Sequence, residues 1–158
     1  MLMRSVYRVL AYLVALEVVI QAAAVAFAVS GLTNWIENGG VLDAAVMQSE
    51  TIAFNGVIGF IVHGLNGQII VPLIALLLLI SSFFAKIPGG VLWAGLVFLT
   101  VVVQVFLGMF AGGIPELGIL HGIGALALFA FAVVAARRAE AATSGLEPRA
   151  SRGTADVA

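Results

Sequence analysis

The sequence has no cysteine, which excludes disulfides, thiolate metal sites and thiol nucleophiles. Charge is also scarce: 9% of residues are Asp, Glu, Lys or Arg, against about a quarter in soluble domains. With 63% apolar residues and a mean hydropathy of +1.19, the chain cannot cover itself with polar groups, so lipid is its expected solvent. No segment shows the period-two alternation of a membrane barrel, and no tandem repeat of solenoid length is evident. The net charge of −1 implies no partner by itself, and no nucleic-acid partner is expected.

What is present is four long apolar runs, about residues 6–29, 57–84, 91–111 and 117–136. Each reaches the roughly 20 residues a helix needs to cross a ~30 Å hydrocarbon core. Residues 31–56 form a long polar loop between the first two, and AKIPGG and GGIPELG, broken by Pro and Gly, make tight turns between the others. The expected fold is all-α: a polytopic membrane four-helix bundle, up-down-up-down. Residues 139–158 follow as a flexible cytoplasmic tail.

Basic residues are missing from one side altogether. Arg4, Arg8, Lys86, Arg137, Arg138, Arg149 and Arg152 all fall on the other, while Glu37, Asp43, Glu50 and Glu116 fall opposite them. The positive-inside rule then places both termini in the cytoplasm of a multi-pass cell-membrane protein. The first run, with Arg4 and Arg8 before it and Ala26 and Ala28 near its end, has some features of a signal peptide. It is longer than a usual hydrophobic region and carries Glu17, so a retained span is expected. In the loop, Trp35 suits an interfacial anchor, and VLDAAVMQSETIAF could form a short surface helix.

Polar residues inside apolar runs need partners within the protein or a cofactor. Glu17, Gln21, Ala24 and Ala28 share a face of the first helix; Gly59, His63 and Gly67, with Asn66 beside them, share one of the second. Thr100, Gln104, Gly108 and Gly112 do so on the third, and Gly118, His121, Gly122 and Ala125 cluster on the fourth. Most lie in the expected outer half, so the four stripes can meet in one interior site. His63 and His121 stand on parallel helices among glycines. That pattern suits axial ligands of a heme, with Gly67 and Gly124 leaving room for the macrocycle and Gln21, Gln104 and Asn66 around the ligands. Gly108/Gly112 and Gly118/Gly122 are also GxxxG pairs that pack helices without a cofactor.

One spacing speaks against a level pair. His63 lies 23 residues before Lys86 and His121 only 16 before Arg137; if those basic residues share a depth, the histidines are offset by roughly 10 Å along the axis. Glu17 is the other outlier, since a carboxylate at mid-membrane costs about 2.5–3.5 kcal/mol on insertion scales. It is expected to be protonated, paired with a neighbour such as Gln21, or part of a proton path. Pro72 is read as a kink.

The stretches HGLNGQIIVPLIALLLLISSF, VVVQVFLGMFAGG and LHGIGALALFAFAVVAARR resemble a bacterial family of small four-helix membrane proteins that carries only an unknown-function label. The shared pattern is His63, Pro72, Gln104, His121, Arg137 and Arg138. More remotely, the plan resembles one half of heme A synthase, whose heme-ligand histidines lie at the outer ends of helices two and four. That resemblance implies b-type heme on His63 and His121. It does not carry over oxygenating chemistry, because Phe60, Ile61 and Val62 stand where that family has a carboxylate, and its loop cysteines are absent. The expectation is a cytochrome-like electron-transfer or heme-sensing protein with no assigned catalytic residue, working with a redox or assembly partner in the membrane. Two other readings stay open: a structural or assembly protein without cofactor, and a small proton-coupled transporter using Glu17 and the histidines.

Overall fold

The computed structural model describes residues 1–49 and 51–145, and every regular element among them is helical. Helix α1 spans Leu2–Glu37, α2 Ala44–Gln48, α3 Val57–Leu65, α4 Val71–Ala85, α5 Gly90–Ala111 and α6 Glu116–Ser144. A π-helical turn, Asn66–Ile70, joins α3 to α4, so Val57–Ala85 is one continuous helical rod. Leu2–Glu37, Val57–Ala85, Gly90–Ala111 and Glu116–Ser144 are each long and apolar enough to cross a membrane.

The ends of the elements follow local chemistry. α1 meets no proline and runs on past residue 29 until Asn38 and Gly39, where Gly39 takes φ +93°, a conformation that glycine adopts without strain. The short α2 is capped by Asp43, whose Oδ1 accepts from Val46 N–H at 2.9 Å. α4 stops at Lys86, which adopts the left-handed conformation two residues before Pro88. The fourth long helix does not end at residue 136. It continues through a run rich in alanine to Ser144, into the segment expected to be a flexible tail; the remainder of that tail, residues 146–158, lies outside the described residues.

The long helices pack in a ring: α1 against the α3–α4 rod and α6, and α5 against α4 and α6. One end of the ring collects the basic residues. Arg4 donates from Nε to Ala85 O (3.2 Å), from Nη1 to Ala142 O (2.8 Å) and from Nη2 to Lys86 O (3.2 Å), satisfying carbonyls that helix ends leave without intrahelical partners. Tyr7 OH donates to Gly90 O at 2.9 Å, and the Arg138 guanidinium stacks 5.3 Å from the Trp93 ring centre.

The core lies in the half of the bundle next to this basic end. Tyr7, Ala11, Val14, Ala75, Leu78, Ala94, Val97, Ala132, Ala135 and Ala136 are fully shielded. Alanine dominates because small side chains let helix backbones come close, which is how helices associate without a hydrophobic drive. The other half is more open. α5 has no buried residue beyond Gln104, and α6 has none before Leu128. α1 and α3 come close there: a Cβ at Gly59 would press on Ala24 O, and one at Gly31 would lie 2.6 Å from Gly56 Cα. Over this end, Trp35 stacks on Phe54 with ring centres 5.4 Å apart.

Candidate functional site

The open half brings the intramembrane polar residues together. His63 comes from α3 and His121 from α6, on opposite sides of the ring, yet their ring centres are 6.0 Å apart and their planes are inclined by 73°. The expected 10 Å offset does not occur. Arg4 bonds both Ala85 O and Ala142 O, so the level of Lys86 matches the residue after Ala142. Arg137 lies more than a turn further inside, and the spacing to Arg137 was the wrong ruler.

Each histidine is held by a glutamine from the helix beside it. His121 Nδ1 lies 3.1 Å from the Gln104 backbone carbonyl, and Gln104 Nε2 donates to His121 O at 2.8 Å. His63 Nδ1 lies 3.4 Å from the Gln21 backbone carbonyl. Backbone polarity decides which way the Gln21 amide faces. Its nitrogen donates to His63 O (3.1 Å) and contacts His63 Nδ1 (2.6 Å), while its oxygen accepts from Gly67 N–H and Asn66 Nδ2, both at 3.0 Å. A regular α-helix would pair the carbonyl of residue 63 with the N–H of residue 67. The Gln21 amide bridges those same two groups, and there the rod goes over to the π turn, as a side chain entering the ladder is known to cause.

Asn66 uses its amide twice, on Gln21 and on Glu17 Oε2, to which it donates at 2.6 Å. The partner of Glu17 is therefore Asn66 and not Gln21. A chain of contacts runs Glu17–Asn66–Gln21–His63. On the other side, Thr100 bonds within its own helix to Leu96 O at 2.7 Å. Gln104 is 8% exposed, and among the described residues its Oε1 has no hydrogen-bond partner.

The glycines take more specific roles than the sequence suggests. A Cβ at Gly67 would meet the Gln21 amide at 3.4 Å, and one at Gly124 would run into Gln104 Oε1. These two make room for the glutamines that orient the histidines. Gly108 is the glycine beside an imidazole, its would-be Cβ lying 3.2 Å from His121 Cε1. Gly112, Gly118 and Gly122 face open space, so the GxxxG spacing does not mark a close helix contact at these positions.

No protein-family model, curated protein or solved structure matches this chain. The chain does match itself. Residues 11–28, AYLVALEVVIQAAAVAFA, align without gaps on residues 94–111, AGLVFLTVVVQVFLGMFA, and 9 of the 18 pairs are identical, Gln21 with Gln104 among them. HGLNG at 63–67 aligns on HGIG at 121–124 with one extra residue, Asn66, at the start of the π turn. Beyond that insertion the buried positions pair again: Val71 with Leu128, Ala75 with Ala132, Leu78 with Ala135 and Ser82 with Ala139. The helix pairs α1 with α3–α4, and α5 with α6, are thus two versions of one hairpin. This repeat was the signal in the sequence that would have identified both glutamines as partners of the histidines.

Two imidazoles on opposite sides of one metal, each nitrogen about 2 Å from it, would have ring centres roughly 6 Å apart, and the observed separation is 6.0 Å. His121 Nδ1 faces a carbonyl, which leaves Nε2 for a metal. His63 reaches the same state once its Nδ1 proton is directed at Gln21 O. In donor type and separation, the pair could hold one metal ion or metal-centred group between them.

Proposed function

We propose that this chain is an integral membrane protein, up-down-up-down with both termini in the cytoplasm, that binds b-type heme through His63 and His121. Its role would be electron transfer or heme sensing. The observation that carries this reading is the pair of imidazoles 6.0 Å apart, brought level from opposite sides of the ring and each oriented by a glutamine. His63 and His121 would hold the heme between them, and its iron would supply one-electron chemistry. Gln21, Gln104 and Asn66 would hold the ligands, Gly67 and Gly124 would accommodate the glutamines, and Glu17 would anchor Asn66. The likeness of plan to one half of heme A synthase points the same way. A redox or assembly partner would dock within the membrane.

Expression with ample heme followed by a pyridine hemochrome assay tests this. One low-spin heme per chain is expected, with the double change His63→Ala, His121→Ala removing it. A colourless, monodisperse, folded protein would falsify the heme reading. The packing-and-assembly reading would then stand, since Glu17, Asn66, Gln21 and both histidines already find partners within the protein. The orientation has its own test: reporters fused to either terminus should read cytoplasm, and one inserted near Asn38 should read the outside.

A further inference from the structure

The repeat makes the two histidines equivalent by position, but the second hairpin has no counterpart of Asn66. We infer that the paired glutamines hold the two histidines in opposite tautomers, so that His121 is the ready-made metal ligand and His63 the exchangeable one. The ligand roles rest on the heme reading; the tautomers do not.

A neutral imidazole has one nitrogen that donates and one that accepts. His121 Nδ1 faces the Gln104 backbone carbonyl at 3.1 Å. A carbonyl only accepts, so the proton is on Nδ1 and the lone pair on Nε2. Gln104 spends its amide nitrogen on His121 O and makes no demand on the ring. At His63 the order is reversed. The Gln21 amide must present its nitrogen to His63 O and its oxygen to Gly67 N–H, because those backbone groups have fixed polarity. The same amide nitrogen lies 2.6 Å from His63 Nδ1, so Nδ1 accepts and the proton is on Nε2.

The cause is the inserted Asn66. The π turn that accommodates it frees Gly67 N–H for the Gln21 oxygen, and Asn66 itself gives that oxygen a second donor. The second hairpin has no inserted residue, and there the corresponding oxygen, Gln104 Oε1, is buried with no partner among the described residues. The Gln21 amide is therefore locked from three sides.

A metal binds the lone pair of a neutral imidazole nitrogen. His121 offers that lone pair at Nε2 as it stands. For His63 to do so, one proton must leave Nε2 and one arrive at Nδ1, with no net change. Nδ1–H must then turn from the Gln21 amide to the Gln21 backbone carbonyl, 3.4 Å away. Ligation by His63 exchanges a 2.6 Å hydrogen bond for one of 3.4 Å, whereas ligation by His121 keeps the bond it has.

The full-length chain in detergent, purified and assayed for hemochrome, supplies the test. If it is colourless, the heme reading fails, and long-range 1H–15N spectra of the histidines at pH 8 decide the inference by themselves. His63 is expected as the Nε2–H form and His121 as the Nδ1–H form. Gln21→Met removes the amide donor but keeps the backbone carbonyl, and should convert His63 to Nδ1–H without moving His121. Both histidines in one tautomer, or no response to Gln21→Met, overturns the inference. If the protein is pigmented, His63→Ala should keep more than half of the heme in a high-spin form, and His121→Ala should lose at least fivefold. Equal retention, or the reverse order, overturns it. Should either variant fail to fold, carbon monoxide binding to the reduced parent decides instead. Ligand entry limited by loss of His63 should slow several-fold in Gln21→Met, and an unchanged rate sinks the inference.

Discussion

The two halves of the bundle are built on opposite plans. Next to the basic end, alanines and valines from all four long helices interlock, and the polar groups there, such as Arg4 and Tyr7, are used to close helix ends. Next to the histidine end, the four helices bring polar groups to one place and bury little else. The same two hairpins produce both halves, so the difference cannot come from topology. It comes from what the shared heptad-like positions carry: small apolar residues pull backbones together, while a glutamine or a histidine must be given room and a partner. One half holds the helices in register, which leaves the other free to be shaped by hydrogen bonds.

The comparison can be broken by substitution. The largest effect is expected at Leu78, fully buried in the tight half. Leu78→Ala removes its packing and leaves a cavity, at about 2–5 kcal/mol, to be read by unfolding in mixed micelles. A cost below about 1 kcal/mol would mean that the tight half does not carry the stability. Next come the glutamines, which test whether the two hairpins are equivalent. Gln21→Met leaves His63 O and Gly67 N–H without their bridge and should cost about 1–3 kcal/mol. Gln104→Met loses one bond but also removes an oxygen that has no partner, so the two effects should cancel to within about 1 kcal/mol. Equal costs at the two sites would contradict the asymmetry caused by Asn66. The smallest effect is expected at Leu120, beside His121 in sequence but facing outward and 52% exposed. Leu120→Ala should stay within about 0.5 kcal/mol, measured the same way; a larger loss would show that the open half is packed in the membrane.

Much of this is legible in the sequence. Four apolar runs with one-sided basic residues are enough for four long helices, because a helix that crosses lipid must satisfy its own backbone and can tolerate few charges. The short α2 could be anticipated from Asp43 before an apolar run. The stretch past residue 29 was harder: Ser30 to Glu37 mixes polar and apolar residues, so hydropathy ends the span there, yet it holds no proline to stop a helix. The same holds for the alanine-rich run after Arg138. Hydropathy measures where lipid ends, not where hydrogen bonding ends.

What the sequence determined by itself was the inventory and the faces: Glu17 and Gln21 on one stripe, His63 and Asn66 on another, Gln104 and His121 on two more, all toward one end. Tertiary structure decided heights and pairings. Height along a helix is known only against a reference, and Arg137 was a false one; Arg4, bonding Ala85 and Ala142 together, supplied the true one. Pairing depends on which backbone groups lie opposite a side chain, and helical periodicity does not contain that. Hence Asn66 found Glu17, Gln21 entered the helix ladder between His63 and Gly67, and Gly124 faced Gln104 instead of an imidazole. A single inserted residue shifts every later side chain by about 100° around a helix of 3.6 residues per turn. The π turn absorbs that shift so that Val71, Ala75 and Leu78 still face the core, and only the packed bundle could show that it does.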